Sequence, residues 1–88
     1  MKLVKIEKPF CPACDEVAAF LADTGVEYSI LNIQAGAESE QDQAREFLGQ
    51  LGLFTVPVTI VLGEDNTIVD HARGMDRVKL QELVELVK

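Results

Sequence analysis

The stretch Lys2-Leu3-Val4-Lys5-Ile6-Glu7-Lys8-Pro9-Phe10-Cys11-Pro12-Ala13-Cys14 decides the fold. Lys2 to Glu7 is short, β-branched and partly alternating, which predicts a strand. Pro9 cannot donate to a ladder and biases Lys8 away from helix, so the strand stops there. Pro12 suits the first position of a helix. Cys14, Val17, Ala18 and Leu21 then fall at i, i+3, i+4 and i+7, one apolar stripe, with Asp15 and Glu16 in the first turn where acids are favoured. Gly25, after Thr24, is the expected C-terminal stop. The chain has no other cysteines than Cys11 and Cys14, and both lie at this strand-to-helix junction.

Working outward, Val26 to Ile33 reads as a second strand whose phase shifts between Ile30 and Leu31. That shift implies either burial on both faces or a bulge. Gln34 to Gln41 reads as a polar connection. A second helix carries Ala44, Phe47, Leu48 and Leu51 at helical spacing and closes at Gly52. Pro57 to Leu62 is a strand that begins at a proline. Gly63-Glu64-Asp65-Asn66 is turn chemistry, and Thr67 to His71 returns as the hairpin partner. Asp76 is placed to cap a last helix carrying Leu80, Leu83, Val84 and Val87. The order β-α-β-α-β-β-α predicts an α/β fold: a parallel βαβ unit extended antiparallel by the hairpin into a four-stranded mixed sheet flanked by helices.

With 88 residues, residues 1–88 are expected to form a single domain. Leu51 to Leu62 is the longest uncharged apolar run; it is broken by Gly52 and Pro57 and is far too short to cross a bilayer. Lys2, Lys5, Glu7 and Lys8 interrupt the N-terminal apolar residues, so no signal-peptide core is expected. Those two observations predict a cytoplasmic protein without a membrane partner. A net charge of −7 argues against nucleic acid, whose phosphates require a basic face.

In a reducing compartment a Cys-x-x-Cys pair is read as catalytic or metal-binding. The attacking species in disulfide exchange is the thiolate. Cys11, at the helix start, meets unpaired N–H groups and the macrodipole, which favour a negative charge by about 0.3–1 kcal/mol. Lys8 adds to that field, and Asp15 and Glu16 oppose it. Cys14, one turn in on the apolar stripe, is expected to be more buried and less ionised. Cys11 would attack a target disulfide, and Cys14 would then displace the target from the mixed disulfide. Zinc takes four ligands, whereas the chain offers two cysteines and one histidine. His71 could join them only if the hairpin brought it to the motif, and its plainer reading is a partly exposed strand residue. No metal site is therefore expected within one chain. A non-enzymatic iron–sulfur or zinc carrier, with cysteines shared by two chains, is the alternative from another class.

With Cys11-Pro12-Ala13-Cys14 at a βα junction and Thr55-Val56-Pro57 opening the third strand, the chain resembles the thioredoxin superfamily over nearly its whole length. It lacks the additional N-terminal strand and helix of true thioredoxins, and Phe10 stands where they carry Trp. It is most similar to glutaredoxins and to glutaredoxin-like redoxins that donate electrons to ribonucleotide reductase. The resemblance implies a thioredoxin-like fold of glutaredoxin size and a monomeric dithiol–disulfide oxidoreductase acting on protein disulfides. The redox-active Cys11–Cys14 disulfide would be its working group, with no bound cofactor. It also implies a cis Pro57 beside the cysteines, turning the N–H and C=O of Val56 toward an extended substrate segment. Phe10, Pro12 and Thr55 would border that segment. The plainer reading of Pro57 is a proline that starts an edge strand.

Lys8, Val56, Gly74 and Asp76 match the pattern with which glutaredoxins hold glutathione as co-substrate. Arg73 replaces the first glycine of that pattern, where a side chain intrudes on close backbone approach. Redoxins reduced by thioredoxin reductase have a Ser-Gly-Phe-like segment at this point, whose end Gly74-Met75 resembles. Arg45-Glu46-Phe47-Leu48-Gly49-Gln50-Leu51-Gly52 also resembles the segment before their third strand. Thioredoxin reductase is thus the expected reductant, and a glutathione-dependent glutaredoxin is the alternative.

Overall fold

The computed structural model describes Met1–Lys88. Its elements run β1 (Lys2–Glu7), α1 (Pro12–Thr24), β2 (Ser29–Asn32), α2 (Glu38–Leu51), β3 (Val58–Leu62), β4 (Ile68–Arg73) and α3 (Arg77–Val87). The strands form one sheet in the order β2-β1-β3-β4. β2 is parallel to β1, while β3 is antiparallel to both β1 and β4.

Each face of the sheet is covered by helix. On one face Leu3, Val61 and Ala72 pack against Val17 and Leu21 of α1 and Leu80, Leu83 and Val84 of α3. On the other, Val4, Ile6, Val58, Ile60 and Leu62 pack against Ala44, Phe47 and Leu48 of α2. Because successive strand residues point to opposite faces, the two inner strands feed both clusters, and all five residues of β3 are buried.

Several expected boundaries move. β2 begins at Ser29 rather than Val26, because its parallel ladder with β1 starts at the Val4–Ser29 pair. Val26 and Tyr28 still pack against the α1/α3 cluster, whereas Leu31 and Ile33 pack against the α2 cluster. Ile30, at the phase shift, is 49% exposed, so β2 is an edge strand partly covered by the α2 cluster and open on its other face at that point. α2 starts at Glu38, so part of the expected polar connection is helical. That first turn is solvated and acidic, and a turn with no apolar side to bury leaves no periodic signal. Glu40 also reaches back to accept a hydrogen bond from the Asn32 amide at 2.8 Å. β3 begins one residue after Pro57, and β4 continues to Arg73, held by the Val58–Arg73 pair.

Candidate active site

The register places the site. Ile6 pairs with Val58, and Val58 also pairs with Arg73. The chain leaving β1, the chain entering β3 and the chain leaving β4 thus meet at one end of the sheet. Those three segments carry Cys11, Thr55-Val56-Pro57 and Gly74-Met75-Asp76.

Cys11 is the N-cap of α1, with extended backbone, and Pro12 occupies the first turn. The Cys11 carbonyl accepts from the Asp15 amide at 3.1 Å, the first bond of the helix. The Cys11 Sγ accepts from the Cys14 amide at 3.1 Å. A sulfur thus stands where a serine or aspartate oxygen usually caps a helix, aimed at N–H groups that have no partner within it. The two cysteines are joined as a disulfide, with Cα atoms 5.2 Å apart. Cys11 retains 7% of its surface and Cys14 2%. This is the oxidised end of a two-electron couple. On reduction, the same N–H groups face a Cys11 thiolate, a hydrogen bond to a charged acceptor being about twice as strong as a neutral one.

The Val56–Pro57 peptide is cis. β3 is an inner strand, so Pro57 does not start an edge; it lies just outside the ladder, where its carbonyl accepts from the Gly74 amide at 2.9 Å. The N–H and C=O of Val56 form no backbone hydrogen bond within the chain. Thr55 is exposed and Val56 half-buried. Gly74 has a φ of 58°, a left-handed conformation that glycine adopts at low cost. Asp76 caps α3, its carboxylate accepting from the Lys79 amide at 3.1 Å. Lys8 is exposed at the end of β1.

Sequence reasoning missed Phe54 and Lys5. Phe54 is 92% exposed and Phe10 fully so, giving aromatic side chains on two of the chain segments that meet at this end. The signal for Phe54 was an aromatic residue in the irregular segment just before Thr55-Val56-Pro57. Lys5 is only 2% exposed. Its Nζ donates to the Cys14 carbonyl at 3.3 Å, pairs with Glu7 at 2.7 Å and lies 5.7 Å from the Tyr28 ring centre. Lys5 is thus a buried cation against the first turn of α1, whereas Lys8 follows the strand and is exposed. The signal for Lys5 was topological: a β1 lying between two strands and two helical layers buries the residue between Val4 and Ile6 whatever its charge. Its cross-strand neighbour Thr59 is fully buried, and its hydroxyl has no hydrogen-bond partner.

His71 pairs with Ile60, whose side chain belongs to the α2 face. The sheet thus separates His71 from the α1 side, and no group of three or more His, Cys, Asp or Glu side chains is arranged to hold a metal ion. A cleft of about 850 Å³ lies where Lys2, Tyr28 and Val87 meet and includes neither cysteine. No helix is long and apolar enough to cross a membrane.

Residues 3–65 match the profile of the family described as Glutaredoxin. The chain belongs to the glutaredoxin family. This glutaredoxin-family chain is 27% identical over 85 residues to the SPbeta prophage-derived thioredoxin-like protein YosR of Bacillus subtilis (strain 168), with 97% of this chain and 96% of that protein covered. It is similar in structure to the glutaredoxin (grx-1) of Archaeoglobus fulgidus, with a TM-score of 0.73 at 25% identity over 94% of this chain and 85% of that one. Spinach chloroplast thioredoxin f, short form, shares the fold at a TM-score of 0.69 and 19% identity, over 97% and 73% of the two chains. The fold is thioredoxin-like, and the glutaredoxin-family chain with its Cys11–Cys14 disulfide is a thiol–disulfide oxidoreductase.

Proposed function

We propose that this oxidoreductase reduces protein disulfides, with Cys11 attacking, Cys14 resolving, and Val56 with Pro57 forming the docking edge. The observation that carries the assignment is the Cys11 sulfur at the N-cap of α1, accepting the Cys14 amide. A thiolate there attacks one sulfur of the target, and the electron pair of the broken S–S bond leaves on the other. Cys14 then attacks Cys11, closing the Cys11–Cys14 bond and releasing the second target sulfur as a thiolate, which takes up a proton. Two electrons pass from dithiol to target.

The free N–H and C=O of Val56 suit an extended peptide added as a short strand. Exposed Phe10 and Phe54 offer apolar surface at its border, and Pro12 and Thr55 lie within the same segments. Aromatic residues, phenylalanine among them, are enriched at protein recognition surfaces, which favours a polypeptide target.

For the electron source, thioredoxin reductase is the better-supported reductant. Arg73 presents an exposed side chain beside Gly74 where close backbone approach would be needed for glutathione, and the Asp76 carboxylate is engaged in capping α3. A donor role toward ribonucleotide reductase rests on the resemblance of Arg45 to Gly52 to the redoxins that serve it. Cys11→Ser abolishes insulin-disulfide reduction, and Cys14→Ser accumulates mixed disulfides with targets. NADPH oxidation is then followed with thioredoxin reductase, or with glutathione and glutathione reductase. Turnover with glutathione alone overturns the assigned reductant, and full activity of Cys11→Ser overturns the mechanism.

A further inference from the structure

We propose that Lys5 is a positioning residue for the resolving step: its ammonium, held under the first turn of α1, favours the Cys14 thiolate. The inference rests on the oxidoreductase reading above and adds to it a group that the dithiol chemistry alone does not require.

The argument begins with the unequal treatment of the two sulfurs. The amides of the helix start serve Cys11, since the Cys14 N–H itself donates to the Cys11 Sγ. Cys14 is 2% exposed, and burial disfavours a charged thiolate. Resolution nevertheless needs Cys14 as the thiolate, so positive potential must reach it from elsewhere. Lys5 supplies a cation on the protein side of this turn, 3.3 Å from the Cys14 carbonyl oxygen.

A lysine at this position is otherwise unfavourable. Lysine is almost never fully buried unless paired, and replacing a buried ion pair by apolar residues of similar volume is often neutral or stabilising. Leu3, two residues back on the same face, packs in the α1/α3 cluster as an aliphatic side chain would here. Thr59, directly across the ladder, adds a second buried polar group whose hydroxyl is unpartnered while the cysteines are oxidised. Two polar side chains thus lie side by side on the α1 face of the inner strands, where the fold itself calls for apolar ones.

The surrounding charges determine the sign. From β1, Glu7 pairs with Lys5, but its side chain is 22% exposed against 3% for Lys5. The carboxylate is thus the more exposed member of the pair and offsets Lys5 only in part. The approach to β2 contributes the Tyr28 phenol ring, and β3 contributes uncharged Thr59. On α1, Asp15 and Glu16 are exposed. Asp70 of β4 is paired with Lys79 of α3. The least screened charge near Cys14 is thus positive.

In the step concerned, the Cys14 thiol loses its proton to water and the thiolate attacks Cys11 Sγ in the mixed disulfide. The Cys11–Cys14 bond forms as the Cys11–target bond breaks, and the electron pair leaves on the target sulfur.

The test uses the full chain and an aromatic disulfide reagent whose thiolate product is coloured, so that attack by Cys11 and resolution by Cys14 appear as two successive releases in stopped flow. In Lys5→Met the pH midpoint of the second release rises by about one unit. Tenfold less thiolate at neutral pH, partly offset by the greater nucleophilicity of a more basic sulfur, slows resolution about threefold, while the alkaline plateau is no lower than wild type. In Glu7→Gln the countercharge is removed and the midpoint falls. Opposite displacements are the signature, because a packing defect would move both variants the same way. Midpoints unchanged in both, or displaced in the same direction, overturn the role of Lys5 while leaving the oxidoreductase reading intact. Absence of a second release in the wild-type protein overturns that reading and this inference together.

Discussion

Phe10 combines a φ of 55° with complete exposure. A left-handed backbone costs an L-residue about 1–2 kcal/mol, and no packing of the ring offsets it. Phe10→Gly relieves that strain but adds chain entropy to the unfolded state, so a net gain of about 0.5–1 kcal/mol is expected in urea denaturation. The same change removes an aromatic side chain beside the Cys11 sulfur, so on the proposed mechanism KM for a protein disulfide should rise while reaction with a small disulfide is kept. A destabilised Phe10→Gly would show that the ring does packing work in solution. This residue was legible in the sequence as a neighbour of Cys11, but its backbone conformation was not, since nothing in the residue type favours a left-handed phenylalanine. Lys5 illustrates the converse. A charged residue in an alternating strand reads as solvent-facing until the strand is placed inside a covered sheet, and that placement comes from long-range pairing rather than from local pattern.

The elements were legible wherever one face is apolar and a cap or breaker marks the end. α1 runs from Pro12 to Thr24 and is closed by a left-handed Gly25 at φ 71°, and the stripes of α2 and α3 are buried as their spacing implies. What local pattern could not reveal were ends fixed by partners: β4 runs on to Arg73 because Val58 is there to pair with it. α3 carries two separable tests. Asp76→Ala removes the carboxylate that accepts the Lys79 amide and should cost about 1 kcal/mol, whereas Asp76→Asn, an equally good cap, should cost little. If Asp76→Asn is stable yet loses reduction by glutathione, the carboxylate serves glutathione as well as the helix. The second test concerns the tie between β4 and α3, where Lys79 donates to Asp70 at 2.8 Å. That bond from Lys79, reinforced by the His71 amide and opposed by partial burial, holds the Asp70 carboxyl below its ordinary 3.8. In return, Asp70 raises Lys79 above 10.5. A depressed acid stabilises the fold above its unfolded value and loses that contribution as pH falls through the folded one; a raised lysine keeps its contribution until pH climbs past 10.5. Wild type should therefore exceed Asp70→Asn in Tm by a constant margin through neutral pH, and the two curves should converge as pH falls below the ordinary 3.8 and through the depressed folded value. Parallel curves at all pH values would mean that the pair contributes nothing through its charge.

At the scale of the molecule, two clusters on opposite faces share the same inner strands. Leu3 and Val61 serve the α1/α3 cluster, while Val4, Ile6, Val58, Ile60 and Leu62 serve the α2 cluster. Neither layer can lose its sheet without exposing the other, so residues 1–88 should unfold as one unit. The chain has one tyrosine and no tryptophan, and Tyr28 packs against the α1/α3 cluster. Its fluorescence therefore reports on one face alone, whereas far-UV circular dichroism reports on all the helices. Phe47→Ala, in the α2 cluster and so across the sheet from Tyr28, should cost about 3–5 kcal/mol, and Leu80→Ala, on the tyrosine's own face, about 2–5 kcal/mol. Each is a large part of the roughly 5–15 kcal/mol typical of a whole domain. If the sheet couples the faces, Phe47→Ala shifts the Tyr28 transition and the dichroism transition to the same lower denaturant concentration, as Leu80→Ala does. A Tyr28 midpoint left at the wild-type position while dichroism is lost early would mean that the α2 layer peels away separately. The cysteine site, built where β1 meets α1 on the other face, would then survive the loss of half the core.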